Sequence, residues 1–368
     1  LEKTLSGIAH LRDLSPRSKD YVLSFGERFS ARILYNVLRS VGLNTEFFTG
    51  KDVGIVTDSN FGEAQPLLEL SKHQVREKIE PLLERGIIPV ITGYIAATQD
   101  GIITTLGRGG SDYTATIVGA AVKADEIWIW TDVDGLMTTD PKIVPSARVI
   151  PTISFAEAIE MAVFGAKAMH PRALEPAMEE EIPVRIRNSS NPKNTGTLVV
   201  ALKQIKPYGI VKAITLIKDA ALITVSGAGM VGSPGTAAKI FDVLGRNNIN
   251  ILMISQSVSE ANISFVIQRN QLDKAINSLE IMLLGKDVVK DISAEDDVCI
   301  IAAVGAGMKG ARGVASRIFG AVANAGVNVR MIAQGGSELN ISFVVTDSEG
   351  EKAVRAIHQE FSLDKLES

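Results

Sequence analysis

The sequence predicts an α/β protein in which a mostly parallel sheet, covered by helices on both faces, is followed by a pair of smaller βαββα units. Three observations predict this. Up to about residue 205, short runs apolar on both faces (Gly86–Gly93, Glu126–Thr131, Ile182–Arg187) alternate with amphipathic helical periods. That is the pattern of parallel strands buried beneath crossover helices. Residues 188–196 then break into Ser, Asn, Pro and Gly, which is loop chemistry, and Lys203–Tyr208 reads as a linker. Beyond it, residues 227–267 align without a gap on 305–345, with 20 identities in 41 positions at a constant offset of 78. Chance does not produce this, so a unit is duplicated. The expected domains are 1–205, 211–290 and 298–364.

Composition narrows the function. The chain has 368 residues, 46% hydrophobic and 22% charged, a globular profile with room for several domains. No apolar run approaches the ~18 residues of a membrane span. A net charge of -4 with scattered basic residues leaves no electrostatic footprint for nucleic acid. The lone Cys299, flanked by apolar residues, reads as a buried core thiol and favours a reducing compartment such as the cytoplasm. The opening at Leu1 looks like the middle of a helix, with no signal-peptide pattern.

The elements follow in order. Ser154 with Glu157 three residues on forms a capping box that starts a helix, and Pro171 suits the first turn of another, running to about Glu181. In the first repeat the spacing predicts strands at Ala221–Ser226, Asn250–Ser255 and Ala261–Gln268, with helices at Gly235–Leu244 and Gln271–Leu284. Gly227-Ala-Gly229-Met-Val-Gly232 and Gly305-Ala-Gly307-Met-Lys-Gly310 both satisfy the dinucleotide fingerprint. Yet the next strand ends Ile254-Ser255-Gln256 without the acid that grips a ribose. Another strand follows within a few residues, which makes a hairpin rather than a helical crossover. The dehydrogenase reading is rejected.

This βαββα pattern resembles the ACT domain, a regulatory module that binds amino acids. The resemblance rests on Ser255-Gln-Ser-Val-Ser-Glu260 and Ala333-Gln-Gly-Gly-Ser-Glu338, each followed by Asn-Ile-Ser-Phe-Val. An amino acid's carboxylate is well served by the free N–H groups at a helix start. Its ammonium and side chain would meet Gln256, Asn262 and Ser264, with Gln334 and Asn340 as their counterparts in the second repeat.

Three further motifs carry chemistry. In Thr104-Thr-Leu-Gly-Arg-Gly-Gly-Ser-Asp112 a strand ends, Arg108 stands among three glycines, and Ser111 and Asp112 open a helix. Glycines let backbone N–H groups approach a ligand closely, and arginine offers a fork suited to a carboxylate. Thr131-Asp132-Val-Asp134-Gly135 directly follows a strand, where open parallel sheets gather their ligands. Lys167, in Phe164-Gly-Ala-Lys167-Ala-Met-His170, lies near a helix break within reach of phosphate.

Together with Ser24-Phe-Gly-Glu27 and the two repeats, these motifs resemble the aspartate kinases of the amino-acid kinase superfamily. The resemblance implies that Glu27, Arg108, Gly109, Gly110 and Ser111 bind aspartate, with Arg108 on its α-carboxylate and Glu27 near its ammonium. Asp112 would order the reacting phosphate region, and Arg108 and Asp112 would serve catalysis. Thr131, Asp132, Met137, Lys142, Lys167 and Ala168 would contact ATP, which enters with Mg²⁺. Met137 stands where tyrosine is usual and Lys142 where arginine is common. The family's N-terminal Lys-Phe-Gly-Gly-Thr-Ser loop is absent, so the resemblance implies that roughly the first third of the kinase domain is missing and that the chain alone is inactive. The implied reaction phosphorylates the β-carboxylate of L-aspartate, under feedback by an amino acid, threonine ahead of lysine, in a homodimer or homotetramer. A purely effector-binding chain and another kinase of the superfamily remain as alternatives.

Overall fold

A computed structural model of the chain describes residues 1–163, 169–205, 209–285 and 289–365. They group into two units. The first comprises Leu1–Leu136, Pro151–Val163 and the stretch ending at Ile205; the second takes in Met137–Ile150 and the chain beyond that stretch.

The first unit opens with helices α1 (Glu2–Leu11) and α2 (Pro16–Ser40). Ser15 caps α2 by accepting a hydrogen bond from the Ser18 N–H at 3.2 Å, and Pro16 occupies the first turn, where its missing N–H costs nothing. Then come β1 (Thr45–Phe48), β2 (Val56–Thr57), α3 (Leu68–Glu84), β3 (Ile88–Ile91), β4 (Ile95–Thr98), β5 (Ile103–Thr105), α4 (Gly110–Ala121) and β6 (Ile127–Thr131). After the excursion of Met137–Ile150, the unit resumes with β7 (Thr152–Ser154), α5 (Phe155–Val163), α6 (Glu175–Glu179), β8 (Val184–Asn188) and β9 (Thr197–Val200). The capping box is present: buried Glu157 accepts from both the N–H and the hydroxyl of Ser154, at 2.9 and 2.7 Å.

Most pairings here are parallel, as the apolar runs imply. β1 pairs with β3, β2 with β4, β6 with β8 and β7 with β9 in parallel, whereas β4–β5 and β8–β9 are antiparallel. The pairings fall into three ladders, β1-β3, β2-β4-β5 and β6-β8-β9-β7. Pro171 opens a tight 3-10 turn over Pro171–Leu174 before α6, so the expected helix is broken in two.

The second unit holds β10 (Ala213–Ser226), α7 (Thr236–Arg246), β11 (Ile251–Gln256), β12 (Asn262–Gln268), α8 (Leu272–Leu283), β13 (Asp291–Val304), α9 (Val314–Asn324), β14 (Met331–Ala333), β15 (Asn340–Thr346) and α10 (Asp347–Glu360). The strands make one antiparallel sheet in the order β11-β12-β10-β13-β15-β14. At its centre β10 and β13, equal in length and 78 residues apart, run antiparallel from Ala213↔Val304 to Ser226↔Asp291. β10 is more than twice as long as its predicted strand. Lys218-Asp219 looks like a turn in sequence, but Asp219 takes φ +57° at a register shift and the ladder continues beyond it, as a β-bulge permits.

Two cores lie against this sheet. One joins Ala221, Ile223 and Val225 of β10 to Ile240, Leu244, Phe265, Leu279 and Val289. The other joins Cys299, Ile301 and Ala303 of β13 to Ile318, Phe343, Val354 and Ile357, and takes in Ile214 and Ile143. Ile143 comes from Met137–Ile150. Within that segment Thr138, 1% exposed, places its hydroxyl 3.1 Å from Nε2 of His358, 2% exposed. The carbonyl of Thr138 accepts from the Ile214 N–H at 2.8 Å, and that of Ile143 from Arg355 Nε at 3.0 Å.

Candidate active site

The turn from β5 into α4 is held by close approaches that no side chain could share. Gly109 caps α4 at φ +71°, and a Cβ there would lie 2.5 Å from the Cβ of His170. A Cβ on Gly110 would lie 2.8 Å from the ring of Tyr94. The start of α4 therefore packs backbone-first between His170 and Tyr94. The N–H groups of a helix's first turn lack intrahelical partners and carry partial positive charge.

In front of this turn is a cavity of about 330 Å³ lined by Glu27, Tyr94, Gly107 and the run Gly109–Asp112. It gathers Glu27 from α2 with Gly109, which caps α4, and Gly110, Ser111 and Asp112 from its first turn, 82 to 85 positions further along the sequence. Burial holds the carboxyls of Glu27 and Asp112 above their ordinary range, as happens where no cation compensates the lost hydration. Arg108 is exposed and does not line the cavity. It stands near His170, whose pKa is lowered by burial first, then by Arg172 and Arg108.

Sequence reasoning missed two residues here. Tyr94 holds φ +64°, a costly conformation for a residue with a side chain, of the kind that clusters at functional sites. It is kept there by its N–H donating to Thr114 Oγ1 at 3.1 Å and its carbonyl accepting from Leu106 N–H at 3.0 Å. Its position directly after Gly93 was the available signal. Asp20, on the same face of α2 as Glu27, is fully buried; its signal was a polar stripe at helical spacing, Asp20, Ser24, Glu27.

The second set of residues lies where β6 ends. The Thr131 hydroxyl donates to Asp132 Oδ1 at 3.2 Å, and the Thr131 carbonyl accepts from Ser189 N–H at 2.8 Å. Asp134 Oδ1 accepts from the amides of Asn188 and Asn191 at 2.8 and 3.2 Å, which draws the loops after β6 and β8 together at the carboxyl ends of parallel strands. Met137 and Lys142 lie in Met137–Ile150, which folds with the second unit; Met137 bridges to Val149, and the Lys142 N–H donates to Asp140 at 2.8 Å. Lys167 and Ala168 fall outside the described residues. Among the described residues no group of three or more His, Cys, Asp or Glu is placed to hold a metal ion, and no helix is long and apolar enough to cross a membrane.

In the repeats, Gln256 and Gln334 are exposed at the ends of β11 and just past β14, while Asn262 and Asn340 open β12 and β15. The Ser264 hydroxyl sits 2.9 Å from that of Thr224 on the neighbouring strand. The N–H of the third glycine in each fingerprint is engaged within the fold. Glu260 accepts from Gly232 N–H at 2.9 Å, and Glu338 from Gly310 N–H at 2.8 Å. The acids that end the paired motifs are thus occupied in tying the hairpin to the glycine turn.

Comparison with known proteins places this geometry in context. Residues 2–188 match the model of the amino acid kinase family, and residues 223–282 and 301–361 match that of an ACT domain. Aspartokinase 1, chloroplastic, of Arabidopsis thaliana is 33% identical over 373 residues, a match spanning 98% of this chain and 63% of that protein's length. Aspartokinase III of E. coli in complex with aspartate and ADP superimposes with a TM-score of 0.82 at 31% identity, covering 98% of this chain and 80% of that one. The same E. coli enzyme in complex with lysine and aspartate gives a TM-score of 0.78 at 31% identity and the same coverage.

Proposed function

The chain belongs to the aspartate kinases of the amino acid kinase family, and from that premise we propose that its first unit binds L-aspartate and MgATP for phosphoryl transfer to the β-carboxylate. The observation that carries this reading is the cavity that brings Glu27 to the start of α4. A half-buried acid suits the substrate's ammonium, and a helix N-terminus suits its carboxylates. Arg108, beside the cavity on a glycine-flanked turn, supplies the fork for the α-carboxylate, and Asp112 orders the phosphate region. Thr131 and Asp132, at and just after the end of β6, offer polar groups to the nucleotide.

In the reaction a β-carboxylate oxygen bonds to the γ-phosphorus while the bond from that phosphorus to the β,γ-bridging oxygen breaks, and the electron pair leaves with ADP. A carboxylate is already nucleophilic at neutral pH, so no proton need be removed. Catalysis is then positioning plus neutralisation of charge on the moving phosphoryl group. Magnesium would enter as part of the MgATP substrate and would there supply positive charge that offsets the charge on the moving phosphoryl group.

The second unit senses an amino acid and shifts the enzyme between two arrangements. Its motif favours threonine; lysine, bound by the similar E. coli enzyme, is the alternative. Edge strands β11 and β14 suit pairing between chains in a dimer or tetramer. A melting-temperature series with threonine and lysine separates the effectors, since a ligand at ~100 times its dissociation constant adds about 2.7 kcal/mol to the folded state.

The deciding experiment is calorimetric titration of L-aspartate into the protein and its Glu27→Gln variant. The variant is expected to bind at least about tenfold more weakly, the scale of a lost charge-assisted bond. Because burial raises the Glu27 pKa, wild-type affinity should fall as pH drops through that raised value and the carboxylate takes up a proton, while the variant should keep only the shallower dependence left by Asp112, whose carboxyl in the same cavity is also raised by burial. Equal affinities in the two proteins would sink this reading.

A further inference from the structure

Asp20 is a buried acid for which the proposed chemistry has no direct use. It sits in α2 with 0% exposure. Its Oδ2 accepts from the N–H groups of Gly62 and Thr105, both at 2.9 Å, and its Oδ1 accepts from the Thr105 hydroxyl at 2.9 Å. Two backbone N–H groups and a hydroxyl satisfy this buried carboxyl away from water.

What those three bonds join matters more than their number. Glu27 follows Asp20 by seven residues, two helical turns, and so lies on the same face of α2. Thr105 ends β5 three residues before Arg108. Gly62 belongs to the turn whose carbonyl would sit 3.2 Å from a Cβ on Gly107. One carboxylate therefore ties the helix that carries Glu27 to the strand and the turn that support Gly107–Asp112.

We propose that Asp20 is a positioning residue for substrate binding, a clamp that sets the distance between Glu27 and the glycine turn at the start of α4. This rests on the aspartate-binding reading above. Asparagine keeps the shape of Asp20, but its neutral amide accepts less strongly and offers one oxygen in place of two, so Asp20→Asn loosens the clamp without removing bulk. Misplacement of about 1 Å between binding groups can cost orders of magnitude in reactivity.

The test is a double-mutant cycle read by calorimetric titration of L-aspartate, with Asp20→Asn, Glu27→Gln and the pair, and with melting temperatures recorded in parallel. Asp20→Asn should weaken aspartate binding about tenfold or more while MgATP affinity stays within about twofold. The double variant should bind no more weakly than Glu27→Gln alone, because Asp20 acts through Glu27. Thr105→Val, which removes one of the three bonds, should show a smaller loss that Thr105→Ser restores; this pair carries the test if Asp20→Asn does not fold. A lowered melting temperature with unchanged aspartate affinity, or losses that simply add, overturns the proposal. If the unsubstituted protein binds no aspartate, both readings fall; if it binds and the Asp20 and Thr105 variants bind equally well, only this one does.

Discussion

In the first repeat Glu260 accepts a hydrogen bond from the N–H of Gly232; in the second, 78 residues on, Glu338 accepts one from Gly310. Both acids take a left-handed backbone, φ +55° and +56°, so the tie between hairpin and glycine turn survives duplication in detail. The interiors have diverged around that shared frame. Where the first core has Ala221 and a partly buried Leu272, the second has Cys299 and Gly350. A Cβ on Gly350 would lie 2.5 Å from the Cys299 sulfur, so the larger residue on the strand is matched by the loss of one on the helix. The second repeat alone takes in Ile143 and sets His358 against Thr138; the position matching His358 in the first is Glu280. Ancestrally equal units have thus been given different work, and only one anchors the segment Met137–Ile150.

The strongest way to break this comparison is Ile143→Ala. Truncating a buried isoleucine costs about 2–5 kcal/mol, and the loss should fall on one repeat. Hydrogen exchange is expected to speed up in α9 and α10 while α7 and α8 keep their protection; equal loosening would mean that the anchoring is not selective. Next is Gly350→Ala, expected to destabilise by about 1–3 kcal/mol through overpacking. Adding Cys299→Ala should recover much of that in denaturant titrations, because the small residue on the strand then makes room. Failure of this rescue would show that the size exchange between the cores is incidental.

Smaller still, Glu260→Ala and Glu338→Ala should each cost about 1 kcal/mol, and equally, if the two ties are equivalent. The most gradual test is pH. Burial lowers the pKa of His358 below the ordinary 6.5, so below that value the unfolded chain takes up a proton before the folded one does. Stability is then lost as pH falls from about 6.5 towards the lowered folded value. Melting temperature followed over this range should slope less in His358→Gln than in the unsubstituted protein.

Much of the fold was legible because its signals are local or repeated. The Ser154–Glu157 box, the duplicated motif and the glycine turn ahead of Ser111 can all be read within a few residues. The hidden parts depend on partners far along the chain. Asp20 meets Thr105 across 85 positions and Thr138 meets His358 across 220; neither pair has a spacing to notice. Glu27 was singled out through its motif, and it lines one cavity with Gly109–Asp112. The role of Glu260 was not legible because a carboxylate beside a hairpin looks the same in sequence whether it awaits a ligand or already holds a backbone N–H. Half of β10 was lost for a similar reason, since Lys218-Asp219 reads equally as a turn or as a bulge.

The long central strands carry a consequence for the chain during its synthesis. Ile214, in the first half of β10, belongs to the core of the second repeat, while the second half of β10 serves the first. When the ribosome has made residue 290, the first half of β10 still lacks its neighbour on β13, and its apolar side chains have no core to enter. An exposed strand edge of this kind invites pairing with other chains. Delay on the ribosome between residues 226 and 304 would therefore be the moment at which this protein most needs a chaperone.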